Sequence, residues 1–173
     1  VRLRKVQERF GDRVAIERRA FPLRPEPDPT VTFKGTYREA AWQRAAVMSA
    51  PDGVTFTMWA RDDYPTWSLP ALEAARCVAS QGHEHFERVH LLLFEAFFAK
   101  GINIGNRGEI IEVVRGAGVD MDRFLKEYDA GTARAQVLKE YEEAHSTHRI
   151  TAIPTVVFDG GRKVVGATSL DEY

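Results

Sequence analysis

The feature that most constrains the fold is a long helical block with a short β segment on each side. From Tyr37 to about His148, apolar residues recur at helical spacing, with a break at Gly82. Before the block, Val14 to Phe21 alternates between apolar and other residues, and after it Thr155 to Phe158 reads as a buried strand. This order predicts a small α/β domain that is interrupted by a helical insertion.

The first residues of the chain predict the end of a helix. Leu3, Val6 and Phe10 lie at the spacing of one helical face, and Gly11 ends the segment. A helix that feeds a strand in this way usually belongs to a βαβ unit, so a preceding strand is expected upstream of Val1. Four charged residues are predicted to form the solvated face of this helix: Arg2, Arg4, Lys5 and Glu8.

Polar residues mark the expected helix starts within the block. Ser68 precedes one apolar run, Asn106 with Glu109 resembles a capping box, and Asp120 and Thr132 are further candidates. Tyr37 to Ser49 is predicted as one helix, whereas Phe56 to Asp63 stays ambiguous between helix and strand. After the block, Asp159-Gly160-Gly161 predicts a hairpin turn that leads into a returning strand over Arg162 to Val165.

Composition excludes several classes of function. Lys and Arg number 24 against 25 Asp and Glu, so no basic excess points to nucleic acid. No apolar run approaches the roughly 18 residues of a membrane span, and the charged start lacks the apolar core of a secretory signal. The single cysteine, Cys77, rules out an internal disulfide and favours a reducing compartment, which predicts a cytoplasmic location.

Neither the cysteine nor the histidines predict a reactive or metal-binding site. Cys77 follows small apolar residues in a predicted helix and is expected to be an ordinary packed thiol. His83 and His85 project about 200° apart around one helix and cannot meet at one ion. His145 and His148 could share a face but have no further ligands nearby, so no metal is predicted.

The Ile153–Pro154 step is the local pattern that suggests a binding site. A proline at the head of a buried strand leaves the backbone of Ile153 at a free edge, where an extended ligand could pair. The simpler alternative is a trans proline that only begins the strand. Spacing alone favours this alternative, because cis X–Pro bonds are uncommon.

Three segments taken in order resemble the DsbA-like thioredoxin-fold family. "ITAIPTVVFDGGRKVVGA" resembles its C-terminal half, "VAIERRAFPLRPE" resembles its second strand and the following loop, and "LPALEAARCVASQGHEHFERVHLLLFEAFFAKGINIGN" resembles its helical insertion. The subgroup with FrnE-type dithiol isomerases and 2-hydroxychromene-2-carboxylate isomerases is the most similar. The resemblance implies a thioredoxin-like core over residues 1–35 and 149–173 with an insertion domain over residues 36–148.

The resemblance also implies a site. Pro154 is expected to be cis, and Ile153 and Pro154 are expected to face a redox centre, where the backbone of Ile153 binds a peptide or glutathione. Ala167 and Thr168 are expected to lie near the ligand. These four residues are the predicted substrate-binding set, with no catalytic residue in this chain.

One departure from the family limits the chemistry of the chain. Members carry Cys-x-x-Cys, or a serine in its place, at the start of the first helix, where the helix dipole stabilises a thiolate. The first strand and the start of the first helix are absent here. We therefore expect the natural protein to be longer, with that motif upstream of Val1.

Three functions follow from these expectations. The first is a thiol–disulfide oxidoreductase or isomerase that acts on a cysteine-containing protein or peptide. The second is a glutathione-dependent isomerase or kappa-type transferase, with glutathione as co-substrate and no other cofactor. The third is a non-catalytic remnant that keeps a peptide-binding groove. A homodimer is possible in each case, and neither nucleic acid nor a membrane is expected as partner.

Overall fold

The computed structural model describes residues 1–173 and divides into two compact units. The smaller unit combines Val1–Phe21 with Glu140–Tyr173, and the larger unit is Pro22–Lys139. The α-helices are α1 (Arg2–Phe10), α2 (Tyr37–Ser49), α3 (Leu69–Ala79), α4 (His83–Phe98), α5 (Arg107–Arg115), α6 (Met121–Asp129) and α7 (Arg134–Ser146). The strands are β1 (Thr155–Val157) and β2 (Lys163–Val165), and short 3₁₀ helices span Gly11–Arg13, Ala50–Asp52 and Leu170–Glu172.

The main core of the larger unit is formed by helices α3 to α6. Its most deeply buried side chains come from each of these helices and are apolar: Val78, Val89, Ile110, Val114 and Phe124. Burial of one such side chain stabilises the fold by about 1.5–3 kcal/mol. The apolar spacing that predicts helices in this region therefore also identifies the faces that pack together.

Helix starts in the larger unit confirm three of the predicted N-cap positions and correct one. The Asn106 side chain accepts from the amides of the first turn of α5, and Asp120 accepts from the Arg123 amide of α6. Ser68 is at the N-cap of α3 as predicted, but its hydroxyl bonds the backbone of Arg24, 44 residues away, and not the first turn of the helix. The Thr132 hydroxyl donates to Glu127 at the end of α6, so it does not begin α7. Both hydroxyls find partners that local sequence spacing does not show.

A second apolar cluster in the larger unit is built mainly from aromatic rings. Trp42 and Trp59 are buried there with Phe33 and Tyr64, and the rings meet edge-on or stacked at 5.3–6.4 Å. The Trp42 indole donates to the carbonyl of Thr57 over 3.0 Å. This bond and the cluster hold the segment from Phe56 to Asp63, which is neither helix nor strand.

The smaller unit contains the hairpin of β1 and β2. The two strands are antiparallel, with Thr155 opposite Val165 and Val157 opposite Lys163. Gly160 and Gly161 have φ values of 85° and 88° in the connecting turn, a conformation that strongly favours glycine. The predicted hairpin and its turn are confirmed.

The predicted strand over Val14 to Phe21 is wrong in one respect. The backbone is extended at Val14, with φ −131° and ψ 135°, but no part of the segment pairs with another strand. Two of its backbone groups bond side chains instead: the Ala20 amide donates to a Glu140 carboxylate oxygen over 2.6 Å, and the Val14 carbonyl accepts from Gln7. Alternation predicts an extended backbone, but a strand also requires a neighbour.

The boundary between the two units after Lys139 falls within α7. The predicted insertion domain over residues 36–148 stays a prediction, because compactness alone does not identify an insertion. No helix combines the length and the apolar character that crossing a membrane would require.

Candidate functional site

The candidate site is built around the loop that connects α7 to β1 in the smaller unit. The Ile150 amide donates to the carbonyl of Ala144 over 2.8 Å, which ties the loop to the end of the helix. Further along, the Thr155 hydroxyl donates to the carbonyl of Ala152 over 2.6 Å, and the Lys163 ammonium contacts the carbonyl of His148. The loop is thus fixed at its start and at its end by bonds within the unit.

Between these fixed points lies Ile153, an exposed residue whose backbone is unpaired. The peptide bond between Ile153 and Pro154 is cis. Ile153 is 41% exposed, and neither its N–H nor its C=O has a hydrogen-bond partner in the chain. An exposed, unpaired donor and acceptor on one residue can receive an extended peptide backbone.

The turn after β2 brings the other two predicted site residues to the same place. The Gly166 amide donates to the carbonyl of Pro154 over 2.7 Å, directly beyond the pairing of Thr155 with Val165. Ala167, next in the chain, is exposed, and Thr168 is half-buried. The structure therefore brings the segment of Ala167 and Thr168 to the head of β1.

A residue of α1 also reaches this segment. Arg2 donates from its guanidinium to the carbonyl of Thr168, and the Thr168 hydroxyl contacts the carboxylate of Glu172. The sequence predicts Arg2 on the solvated face of its helix, which is wrong, since the side chain is half-buried and bonded. No local pattern signals this contact, because its partners lie 166 residues apart.

Cys77 lies in the core of the larger unit and is not a nucleophile. Its side chain is 2% exposed, which confirms the predicted packed thiol. Burial, with a further contribution from the charge of Glu127, raises the pKa of the thiol to about 11. The thiolate that attacks disulfides is therefore almost absent at neutral pH.

The three histidines of α4 lie either in the first turn of the helix or against aromatic rings. His90 is stacked on Phe86 at 5.7 Å between ring centroids and meets Phe94 edge-on at 4.8 Å. His83 and His85 lie in the first turn of the helix. No group of three or more His, Cys, Asp or Glu side chains is arranged to hold a metal ion.

Comparison with known proteins matches this chain to curated sequences and to solved structures. The Thiol:disulfide interchange protein DsbA of Pseudomonas syringae is 28% identical over 81 residues, 47% of this chain and 36% of that protein. DsbA of Pseudomonas aeruginosa is 31% identical over a stretch of the same length, 37% of that protein. The matched stretch thus spans little more than a third of these curated relatives.

Among solved structures, a probable DsbA oxidoreductase from Streptomyces coelicolor superposes with a TM-score of 0.82. The superposition covers 99% of this chain and 78% of that one at 18% sequence identity, so it shows a shared fold. The DSBA-like thioredoxin domain family matches residues 1–173. The chain therefore belongs to the DSBA-like thioredoxin domain family and has its thioredoxin-like fold.

Proposed function

We propose that this chain is the substrate-binding part of a thiol–disulfide oxidoreductase that acts on cysteine-containing proteins or peptides. The observation that carries the proposal is the unpaired backbone of Ile153, an exposed residue beside Pro154. Membership of the DSBA-like family supports it, because the curated relatives are named as thiol:disulfide interchange proteins.

Recognition would use the substrate backbone and not a particular side chain. The residues that flank the substrate cysteine would pair with the N–H and C=O of Ile153, as a strand pairs with a sheet edge. Pro154 has no N–H of its own, and its carbonyl is occupied by the Gly166 amide. At this step of the chain, pairing would therefore use Ile153 and not Pro154.

The redox step needs a thiolate that residues 1–173 do not supply. A thiolate attacks one sulfur of the substrate disulfide, forms a mixed disulfide and releases the other sulfur as a thiolate. A second thiol then attacks the mixed disulfide, which reduces the substrate and leaves the two enzyme sulfurs oxidised. Cys77 is the single cysteine and is buried and protonated, so the proposed pair lies outside these residues.

The glutathione-dependent alternative is favoured by one observation, the bond between Gly166 and Pro154. It brings Ala167 and Thr168 to the head of β1, where that alternative expects the ligand. A glutathione-dependent isomerase or transferase therefore remains the second proposal. A groove that binds peptides without catalysis remains the third, and a cytoplasmic location stays a prediction.

Binding of a non-reactive cysteine peptide to the 173-residue chain tests the proposal. A heptapeptide with a central S-methylcysteine should shift the backbone amide NMR signals of Ile153 and Thr155, and those of Ala167 and Thr168 less. The matched control is the same peptide with an N-methyl group on the S-methylcysteine amide, which removes a donor from the paired backbone. Equal shifts with both peptides, or no shift at Ile153 with either, would contradict recognition by the backbone.

S-methylglutathione added in the same way distinguishes the second proposal. Shifts that are largest at Ala167 and Thr168 with this tripeptide, and small with the heptapeptide, would favour a glutathione-dependent reaction. The reverse pattern would favour a peptide or protein substrate.

A further inference from the structure

Arg149 has a backbone conformation that a residue with a side chain rarely adopts. Its φ is 49°, in the left-handed region, and no other residue except glycine has a positive φ in this structure. An L-residue in this region costs about 1–2 kcal/mol relative to a right-handed conformation, and glycine avoids that cost. The set of backbone bonds that ends α7 also ends α4, where Gly101 has a φ of 63°, so the conformation of Arg149 belongs to the way α7 ends. What its side chain does is a separate question, which the contacts of that side chain address.

The side chain of Arg149 is exposed and has no ion-pair, hydrogen-bond or ring partner in the chain. Arg149 follows His148, whose carbonyl is contacted by the Lys163 ammonium, so a second positive charge lies beside its backbone. The guanidinium is thus not used for an internal salt bridge. A guanidinium with all its donors free is the side chain best suited to a carboxylate, which it can bind with two parallel hydrogen bonds.

Arg149 also lies within reach of a ligand on Ile153. The two residues are four apart, so their Cα atoms are at most about 14 Å from each other even in an extended chain. Of the three residues between them, Thr151 and Ala152 are exposed and Ile150 is half-buried. A peptide paired with Ile153 would extend about 10 Å over three residues. The side chains of a glutamate in that peptide and of Arg149 can span the distance that remains between them.

We propose that Arg149 binds a carboxylate of the ligand that pairs with Ile153, and so gives the site a preference for acidic cysteine peptides or for glutathione. This inference rests on the proposed function, because it needs a ligand at Ile153. The carboxylate can come from an aspartate or glutamate side chain near the substrate cysteine or from a terminus of glutathione. The chemistry is the same in both cases, and the experiment separates the two sources.

Binding affinities of matched ligands test this preference. One heptapeptide carries a central S-methylcysteine with glutamate three residues before and after it, and the other carries glutamine at both places. The glutamate peptide should bind at least fivefold more tightly at low ionic strength, and the difference should shrink as salt is added. S-methylglutathione and its diester form the second pair, and the pair with the larger difference identifies the source of the carboxylate.

Two substitutions show whether Arg149 causes the preference. Arg149→Gly and Arg149→Asn both remove the charge, and both residues tolerate a positive φ, so the fold should be kept or stabilised. Each should abolish the difference within the pair of ligands and leave the affinity for the uncharged member unchanged. Arg44→Ala is the matched control, because Arg44 is an exposed arginine without a partner in the larger unit.

The possible failures are distinguishable. If the uncharged peptide binds but the preference is absent, or persists in both variants, the role of Arg149 is overturned and the proposed function stands. If the variants lose stability and keep the preference, Arg149 serves the C-terminal end of α7, where a positive charge is also favourable, and the proposal is again overturned. If no ligand binds to the unsubstituted chain, both the inference and the proposed function fail.

Discussion

The amide of Gly166 donates to the carbonyl of Pro154 over 2.7 Å, so the turn after β2 is fixed to the residue that precedes β1. This bond extends the hairpin by one link beyond the pairing of Thr155 with Val165. It also determines where Ala167 and Thr168 lie with respect to Ile153. Geometry at the candidate site therefore depends on the conformation of one glycine.

Substitution of that glycine should loosen the site without a steric clash. Gly166 has a φ of 87°, and an added Cβ would meet no atom within 4 Å, so Gly166→Ala carries only the conformational cost of about 1–2 kcal/mol. Amide hydrogen exchange should become faster at Gly166, whose amide makes this bond. Gly116→Ala is the control, because Gly116 has a φ of −67° at the end of α5 and should cost less than 0.5 kcal/mol. Unchanged exchange at Gly166 would contradict the dependence of the site's geometry on the conformation of this glycine.

Removal of the Glu140 carboxylate should destabilise the smaller unit. Glu140 is 5% exposed and accepts from the buried Ala20 amide over 2.6 Å. Glu140→Ala leaves that amide without a partner, which costs about 1–3 kcal/mol. Glu140→Gln keeps an acceptor for this amide and should therefore lose less stability. Glu142→Ala is the control, because Glu142 is an exposed glutamate of the same helix. Hydrogen exchange at Ala20 measures the effect, and equal protection in the Ala and Gln variants would contradict this account.

Cys77 should be unreactive in the folded chain and should make stability depend on pH only in the alkaline range. Burial raises the pKa of its thiol to about 11. Because the folded pKa lies above the unfolded value, this contribution is complete below about pH 8.5 and is lost as the pH rises toward 11. Ellman's reagent at pH 8 should react with Cys77 only after unfolding in urea.

The alanine variant supplies the control for this alkaline dependence. Cys77→Ala removes the titrating group and should flatten the fall in the free energy of unfolding between about pH 8.5 and 11. Cys77→Ser should be less stable than Cys77→Ala at neutral pH, because it buries a hydroxyl in an apolar core. Fast labelling of the folded chain would show that the thiol is more accessible than its 2% exposure indicates.

The ion pairs of Arg61 should support the larger unit at neutral pH and fail in acid. Arg61 bonds Glu109 at 2.7 Å and Asp63 at 2.5 Å, and these hydrogen bonds hold the pKa of each carboxyl below its usual range. Because the folded pKa values are lowered, the stabilisation is present above the ordinary carboxyl range and is lost as the pH falls through the folded values.

Arg61→Gln should therefore make the melting temperature of the larger unit less dependent on pH below about 5. The loss at neutral pH should be modest, since all three side chains are partly exposed and screened by water. Arg44→Gln, at an arginine without a partner, should leave the acid profile as it is. An unchanged profile for Arg61→Gln would mean that other carboxylates dominate acid unfolding.

Sequence reasoning succeeds where structure is decided by neighbours in the chain. Asn106 and Asp120 cap their helices as predicted, because an N-cap bond spans only two or three residues. It fails for the hydroxyl of Ser68, the guanidinium of Arg2 and the strand over residues 14–21, each of which depends on a partner far along the chain. For the site, the sequence indicates Ile153 through the proline that follows it, but it does not indicate the unpaired charge of Arg149.

The aromatic cluster of the larger unit has a consequence for spectroscopy. All three tryptophans, Trp42, Trp59 and Trp67, lie between Pro22 and Lys139, and two of them are buried in that cluster. Intrinsic fluorescence excited at the red edge of protein absorption will therefore report on this unit, whereas the smaller unit contains only Tyr141 and Tyr173 as phenolic fluorophores. A tryptophan placed in the β1–β2 turn would give the smaller unit a fluorophore of its own for detecting ligands at Ile153.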